Sequence, residues 1–380
     1  MAAFSPEEFS ALGFRLVEAT SGAHVYFRHH PQFGSIEATC ITSMMDLEAD
    51  LLRRDFAINA MAMSLTGVRV DPLGGEADLQ SKVLRACSAE TFSGDPLRIF
   101  RAFRFEADGW CMAPETATLI RKQQWTDAFS TMPVERFTNE MRKALSRDNP
   151  ERFFERMIEF NVGTAFLPEL FRMPSIPAGP LQHHPEGDLF SHSIQVLQRV
   201  TAASHDPLTR FCAFFHDLGK LSTDPALYPK HHGHDHAGFE TAPEFCNRLA
   251  LPATYRKALA WVSRLHGTAN LWETLRDSTK IRMAEQAIKS GIVEILPVVS
   301  AADTAGGMTM AGWDHTIQVA GMNMQELGID QEKLDVMPIK KRSTFIQHAR
   351  VEKLRELRGE ADGRSGAGLR TSSQPDIESY

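Results

Sequence analysis

Histidines and aspartates recur through the second half of this chain, and side chains of these types can hold a divalent cation. His192 precedes His216-Asp217-Leu218-Gly219-Lys220; then follow Lys230-His231-His232-Gly233-His234-Asp235-His236, His266, and Asp303 in Ser300-Ala301-Ala302-Asp303. Imidazole nitrogens and carboxylate oxygens from separate helices can converge on one cation. Such a mixed set suits Mn²⁺, Ni²⁺, Co²⁺, Fe²⁺ or Zn²⁺ better than Ca²⁺. A cation with an open position lowers the pKa of a water it holds and readies that water to attack a phosphate ester. Lys220, or a histidine of the 231–236 run, is placed to neutralise the negative charge that develops. His29, His30, His183 and His184 read instead as surface side chains.

A second set of residues suits phosphate in a different way. Leu51-Leu52-Arg53-Arg54-Asp55-Phe56-Ala57-Ile58-Asn59-Ala60 offers two adjacent guanidinium forks, with Asp55 able to orient one of them. A helix there brings Asn59 beside Asp55. In Asp95-Pro96-Leu97-Arg98-Ile99-Phe100-Arg101-Ala102-Phe103-Arg104-Phe105, Asp95 suits a helix cap and Pro96 a first helical position. Arg98, Arg101 and Arg104 then form a cationic stripe that calls for an anion such as a triphosphate or an RNA backbone.

These residues need elements to hold them. Residues 24–27 and 36–41 alternate as strands around a turn at 31–34, and 68–72 reads as a short strand before the Gly74-Gly75 turn. The pattern from Asp46 to Met63 reads as a helix with Ile58, Met61 and Met63 toward a core. Beyond Ser88 apolar spacings of three and four predict helices nearly to the end, with Ser191 as one cap. The helices include 191–200, which carries His192, and 210–219, ended by Gly219. Strands are thus confined to the first 85 or so residues, which predicts an α+β fold: a truncated mixed α/β head, then a mainly α-helical neck and body. Pro168, Pro174, Pro177 and Pro180 mark a boundary. The expected division is a head over 1–85, a neck over 86–175, a histidine-bearing body over 176–358 and a disordered tail over 359–380.

Taken together, these strings resemble the class II tRNA nucleotidyltransferases, the CCA-adding family. The first is similar to that family's RRDFTINA motif and the second to EDPLRxxRaxRF, with Gly94 where Glu is usual. Val70-Asp71-Pro72-Leu73-Gly74-Gly75 with Asp78-Leu79 is similar to DPxxGxxDL, and Glu135-Arg136-Phe137 with Glu140 to ERxxxE. The resemblance implies that Asp95 and Arg98 present a template to an incoming base, and that Arg54, Arg101 and Arg104 contact the nucleotide. ATP and CTP are the implied nucleotides and the acceptor end of tRNA the implied partner. The family's Asp-x-Asp pair does not occur in residues 1–45, and Ile36 and Ile41 stand where its next strand carries an acid and an arginine. Nucleotide addition is therefore expected to be weak or absent.

The histidine series resembles the HD phosphohydrolases, and Pro229–His234 resembles the multifunctional bacterial members of the CCA family. An all-α HD domain with a divalent metal (Ni²⁺, Mn²⁺, Co²⁺ or Mg²⁺) follows as an implication. The implied ligands are His192, His216, Asp217 and Asp303, with His216, Asp217 and Lys220 as the catalytic set. His234 and His266 are implied as substrate contacts or ligands to a second metal. The activities implied are 2′,3′-cyclic phosphodiesterase, 2′-nucleotidase and phosphatase. Two alternatives stay open: a non-catalytic tRNA- or nucleotide-binding paralogue, and a regulatory HD hydrolase of a free nucleotide.

Composition sets outer limits. A formal charge of −7 disfavours a broad polyanion grip and favours a local basic patch. Five widely spaced cysteines with no Cys-x-x-Cys pair suit a reducing compartment. With no apolar run near the ~20 residues of a membrane span, and Glu7 and Glu8 early in the chain, the expected location is the cytoplasm.

Overall fold

The computed structural model describes residues 5–18, 24–39, 44–64, 66–304 and 307–359. It forms two compact units, Met1–Ala128 and Phe129–Tyr380. The Cys40–Ser43 end of the 36–43 string and the tail from 360 lie outside the described residues.

Among the described residues, all the strands lie in the first unit. A capping box between Ser5 and Glu8 starts the helix Pro6–Ala11, and Phe9 from that helix stacks on Tyr26 at 4.3 Å. Tyr26 belongs to an antiparallel meander of β1 (Arg15–Glu18), β2 (His24–His30) and β3 (Gly34–Thr39), with Leu16 opposite Tyr26 and Tyr26 opposite Ala38. The helix Met44–Leu52 follows. It stops there, so the helix expected to run to Met63 is not formed. Phe56 turns extended and bridges to Ala86, while the Ala57 N–H donates to Arg85 O at 2.8 Å. Pairing with a distant strand outweighs local helical preference at this point. Ile58 is buried as expected, Met61 only partly, and Met63 is exposed on β4 (Ala62–Met63), which pairs with β5 (Arg69–Val70).

The strands do not end near residue 85. β6 (Val83–Leu84) pairs in parallel with β7 (Cys111–Met112), beyond the helix Leu97–Ala107. Two residues are too few for a period-2 pattern to register, so nothing in the sequence marks this strand. Phe56, Phe92, Phe100 and Phe103 fill the core beneath.

The second unit is helical. Phe137 of the helix Val134–Leu145 stacks on Phe166 at 4.6 Å, and Phe154 of Glu151–Phe160 stacks on Phe214 at 3.9 Å. Phe214 lies on Pro207–Phe215, which with Leu189–Ala203, His234–Arg248, Ala253–Ala269 and Ile295–Asp303 surrounds the histidines. Farther on, Ile281, Val319 and Leu354 join three later helices, Asp277–Ser290, Trp313–Gly321 and Ile339–Leu357.

Two expectations change here. Asp188, not Ser191, caps the first of these helices, accepting the Ser191 N–H at 2.9 Å and the Ser191 hydroxyl at 2.7 Å. The helix expected over 210–219 ends at Phe215 and continues as a 3₁₀ turn, Leu218–Ser222. The proline cluster lies within the second compact unit. Its backbone is tied into the histidine-bearing core, with Leu189 N–H on Ile176 O at 2.8 Å and Lys220 Nζ on Ala178 O at 2.7 Å.

Arg210 locks the packing of this unit. It is fully buried and donates to Leu145 O (2.8 Å), Arg147 O (2.7 Å) and Ser204 O (2.7 Å). Two of these carbonyls close the end of the 134–145 helix, where no helical N–H remains to serve them. Arg210→Met keeps much of the volume and strands these acceptors, each at a cost of about 1–3 kcal/mol. A loss of at least about 3 kcal/mol is expected in urea unfolding of the full chain; a loss under 1 kcal/mol would mean that water replaces the guanidinium at little cost.

Candidate metal centre and arginine site

Six residues from five segments meet in the helical unit. His192 Nε2 lies 3.0 Å from Asp303 Oδ1 and 3.6 Å from Asp217 Oδ2. His216 Nε2 lies 3.2 Å from Asp217 Oδ2 and 3.4 Å from Asp303 Oδ1. On the other face of Asp217, Oδ1 is 3.3 Å from His234 Nε2 and 3.4 Å from His266 Nε2. All six sequence-predicted residues are thus together, sharing Asp217 between two donor sets.

The local structure explains the convergence. His216 caps the C-terminal end of its helix, so its Nδ1 reaches the free Ala213 carbonyl at 2.8 Å and Nε2 turns inward. His234 Nδ1 bonds His231 O at 2.7 Å, and His266 Nδ1 bonds Ser263 O at 3.0 Å. Each carbonyl requires a proton on Nδ1 and so leaves the Nε2 lone pair directed at the carboxylates. Gly219 makes room for this: a Cβ there would stand 2.0 Å from His234 O, so only glycine lets the 218–222 turn press against the 234–248 helix.

A cation fits the donor set. His216 Nε2 and Asp217 Oδ1 are buried and make no well-aligned hydrogen bond, although their charged neighbours stand 3.2–3.4 Å away, which leaves lone pairs free to turn to a cation. In the metal-free protein protons supply part of the positive charge. Burial lowers the proton affinity of His216, but Asp217 and Asp303 raise its pKa to about 10. Burial works to raise Asp217 and Asp303, and their cationic neighbours, Lys220 and His216 for the one and His216 for the other, hold both well below the usual carboxylate range.

Lys220 lies beside Asp217. The residue is 5% exposed, with its ammonium 2.6 Å from Asp217 Oδ2 and 2.7 Å from Ala178 O, which makes it a clamp on Asp217. Three partners escaped the sequence reading. Glu186 Oε1 lies 2.7 Å from His192 Nδ1, and His184, expected at the surface, is half-buried with Nδ1 3.0 Å from the same oxygen. Asn270 Nδ2 donates to Asp303 Oδ2 at 2.6 Å. The string His184-Pro185-Glu186 just upstream of His192 was the available signal for the first two.

In the first unit, Asp55 accepts from the Phe56 N–H (2.9 Å), Asn59 Nδ2 (3.1 Å) and Arg101 Nε (2.7 Å). Asp55 therefore orients Arg101 from the second motif, not its neighbour. Asp50 holds Arg53 and Arg54 instead, and Arg54 also donates to Asn59 O at 3.0 Å. Arg98 donates to the carbonyls of Arg53 (2.7 Å) and Thr91 (3.1 Å), and Arg104 is buried over the Phe105 ring. Asp95 accepts the Leu97 N–H at 3.3 Å, and Pro96, not Asp95, is the residue at the cap of the helix. The arginines thus do not form one free stripe: each has its own partner, because the two motifs cross-link.

The comparisons agree with this layout. Residues 18–85 match the family model of the poly A polymerase head domain, 109–173 that of the probable RNA and SrmB-binding site of polymerase A, and 189–300 that of the HD domain. The Multifunctional CCA protein of Methylococcus capsulatus is 31% identical over 384 residues, spanning 94% of this chain and 90% of that protein. That of Thioalkalivibrio sulfidiphilus is 37% identical over 243 residues, spanning 63% and 59%. Among solved structures, an apo CCA-adding enzyme has a TM-score of 0.59 at 20% identity, covering 92% of this chain and 78% of that one. The Bacillus stearothermophilus CCA-adding enzyme in complex with CTP has a TM-score of 0.55 at 21% identity, covering 95% and 82%. These structures share the α+β head and helical body. Among the described residues no helix is long and apolar enough to cross a membrane.

The Asp55–Arg101 pair makes a pH-dependent prediction. Burial raises the Asp55 pKa, and Arg101, Asn59 and the Phe56 amide outweigh it, so the carboxyl sits below its ordinary value of 3.8. A depressed carboxyl adds stability that is complete above the unfolded value and is lost as pH falls through the folded one. Arg101→Met should lower stability by about 2 kcal/mol at neutral pH, since it leaves a buried charge short of its partner, and should reduce the loss between pH 4 and the folded pKa. Denaturant titrations at neutral and acid pH check this; parallel curves for both proteins would show that the pair is electrostatically idle.

Proposed function

The chain belongs to the family of the multifunctional CCA proteins, and on that premise we propose that it acts on the 3′ end of tRNA chiefly as a metal-dependent phosphohydrolase. The observation that carries the reading is the convergence of imidazole Nε2 atoms and two carboxylates in one buried cluster, where His216 Nε2 and Asp217 Oδ1 make no well-aligned hydrogen bond. His192, His216, Asp217 and Asp303 would hold the ion, with Ni²⁺, Mn²⁺, Co²⁺ and Mg²⁺ as the candidates. When bound, a divalent ion supplies a water of lowered pKa and a positive charge against the phosphate. Lys220 fixes Asp217 from behind. His234, with a side chain one-quarter exposed, is the imidazole that an entering phosphate ester meets, and His266 lies deeper beside it. These two serve as substrate contacts or as ligands to a second ion bridged by Asp217. The substrates we propose are 2′,3′-cyclic phosphates, 2′-nucleotides and simple phosphate monoesters.

For the first unit we propose binding of ATP and CTP, with Arg54, Asp95, Arg98, Arg101 and Arg104 forming the site. The family precedent supports this, since one solved relative holds CTP and a Thermotoga maritima relative is complexed with tRNA. We also propose that function divides as a head over 1–85, a nucleotide- and tRNA-binding neck over 86–175 and an HD body over 176–358. Nucleotide addition itself needs carboxylates that hold two metal ions, and Ile36 and Ile41 stand where the family's strand carries an acid and an arginine.

Hydrolysis of 2′,3′-cyclic AMP with Ni²⁺, Mn²⁺ or Mg²⁺ tests the reading. His216→Ala and Asp217→Asn should each lower kcat/KM by at least about a hundredfold, the equivalent of some 2.7 kcal/mol of lost stabilisation. Equal rates in wild type and both variants would end the hydrolase assignment and favour the non-catalytic binding protein.

Addition is tested separately. With Mg²⁺, CTP, ATP and a tRNA lacking its 3′ CCA, no more than trace extension is expected on a sequencing gel. Templated addition of all three nucleotides in minutes would overturn this part and leave the hydrolase part standing.

A further inference from the structure

We propose that Glu186 is the positioning residue of the metal centre: it holds the Nδ1–H of His192, so that Nε2 faces the cation, and thereby sets how tightly the cation is held. This rests on reading the centre as a metal site. The inference comes from an exception. His216, His234 and His266 are each oriented by a backbone carbonyl three residues earlier, at 2.8, 2.7 and 3.0 Å. His192 lies in the first turn of its helix, and its own N–H goes to Asp188 O at 3.0 Å. Its Nδ1 instead meets a side chain, Glu186 Oε1, at 2.7 Å. Among these four imidazoles His192 alone is oriented by a carboxylate.

The loop around Glu186 is built for this. The Glu186 side chain is only 8% exposed, although the residue lies outside any helix. The same Oε1 bonds His184 Nδ1 at 3.0 Å, and the His184 ring packs edge-on against His192 with centroids 4.9 Å apart. Gly179 leaves the space for that ring, since a Cβ there would stand 2.3 Å from His184 Cδ2. The loop is anchored at its base by Ala178 N–H on Gly187 O at 2.9 Å and by His231 Nε2 on Pro177 O at 2.7 Å. Glu186 is thus held from one side by His184 and presented to His192 on the other.

A carboxylate on Nδ1–H fixes the ring plane and makes Nε2 a stronger donor to a cation. Removing such a partner weakens metal binding by about 10- to 100-fold. The carbonyls that serve the other histidines cannot be removed by substitution, so Glu186 is the point at which this centre is tuned.

Calorimetric titration of the full chain with Mn²⁺ alone tests the proposal on wild type, Glu186→Gln, Glu186→Ala and His216→Ala. Glu186→Ala should raise Kd by about 10- to 100-fold with unchanged stoichiometry, and Glu186→Gln, which keeps one acceptor oxygen, should fall between it and wild type. In the metal-free protein the hydrogen-bonded His192 Nδ1–H proton should be visible by NMR and vanish in Glu186→Ala. Should Glu186→Ala fail to fold, Glu186→Gln and His184→Ala carry the comparison, each with a raised Kd and a near-native melting midpoint expected. Equal Kd values in wild type and the Glu186 variants would overturn the positioning role. Loss of one bound equivalent with unchanged affinity for the rest would also overturn it, because Glu186 would then be a ligand, as its place beside His184 and His192 permits. If wild type and His216→Ala bind Mn²⁺ alike, the metal centre itself is refuted and the inference with it.

Discussion

Asp217 carries a full negative charge at 2% exposure, and the second unit is arranged to keep it there. An isolated buried carboxylate would be neutralised by uptake of a proton or would destabilise the fold by several kcal/mol. Here it is surrounded by Lys220, His192, His216, His234 and His266. The four imidazoles arrive on different segments, so the carboxylate couples the start of the 189–203 helix and the end of 207–215 to the start of 234–248 and to the 253–269 helix. Gly219 and Gly238 belong to the same constraint. A side chain on Gly219 would meet backbone of the 234–248 helix, and one on Gly238 would meet Ser263. The glycines let the helices come close enough for the imidazoles to reach one acid.

The head repeats the device with different chemistry. Asp55 is buried and pairs with a guanidinium that comes from 46 residues away. Here the partner is a permanent cation with fixed forks, so the charge is settled within the fold and the arginine is held in one orientation. At Asp217 most partners are imidazoles, whose charge depends on what else is present. One motif acid therefore orders a site, and the other leaves a site able to exchange protons for a metal ion.

The parts of the site legible in the sequence were those carried by residue type at short range. His216, Asp217 and Lys220 lie within one turn, and a string this rich in ligands could be read without knowing the fold. Asp303 and His266 were reachable only by resemblance, because no spacing rule links them to Asp217 across 86 and 49 residues. What escaped was set by tertiary pairing. The helix expected through residue 63 stops at Leu52 because residues 56–57 pair with 85–86, a partner that no local pattern shows. His184 belongs to a histidine run of the kind that usually lies at the surface, yet Gly179 and Glu186 let it turn inward. The arginine stripe was correct in spacing, but its charges looked free because Asp55 was read as serving its own neighbours.

Charge balance gives a last reason to regard the centre as made for a divalent ion. Among the groups that touch one another, Asp217, Asp303 and Glu186 bring three carboxylates and Lys220 one ammonium. With neutral histidines, three negative charges against one positive leave a formal deficit of two. Protons can cover it only by making buried imidazoles cationic, and the raised pKa of His216 expresses that demand. The Nδ1 bonds to Ala213, His231 and Ser263 carbonyls and to Glu186 are compatible with the neutral rings, leaving each Nε2 as a donor to a cation. One dication closes the deficit without protonating any of them. A monovalent ion leaves the cluster negative and a trivalent one leaves it positive, so the number of buried acids favours charge two before geometry is considered.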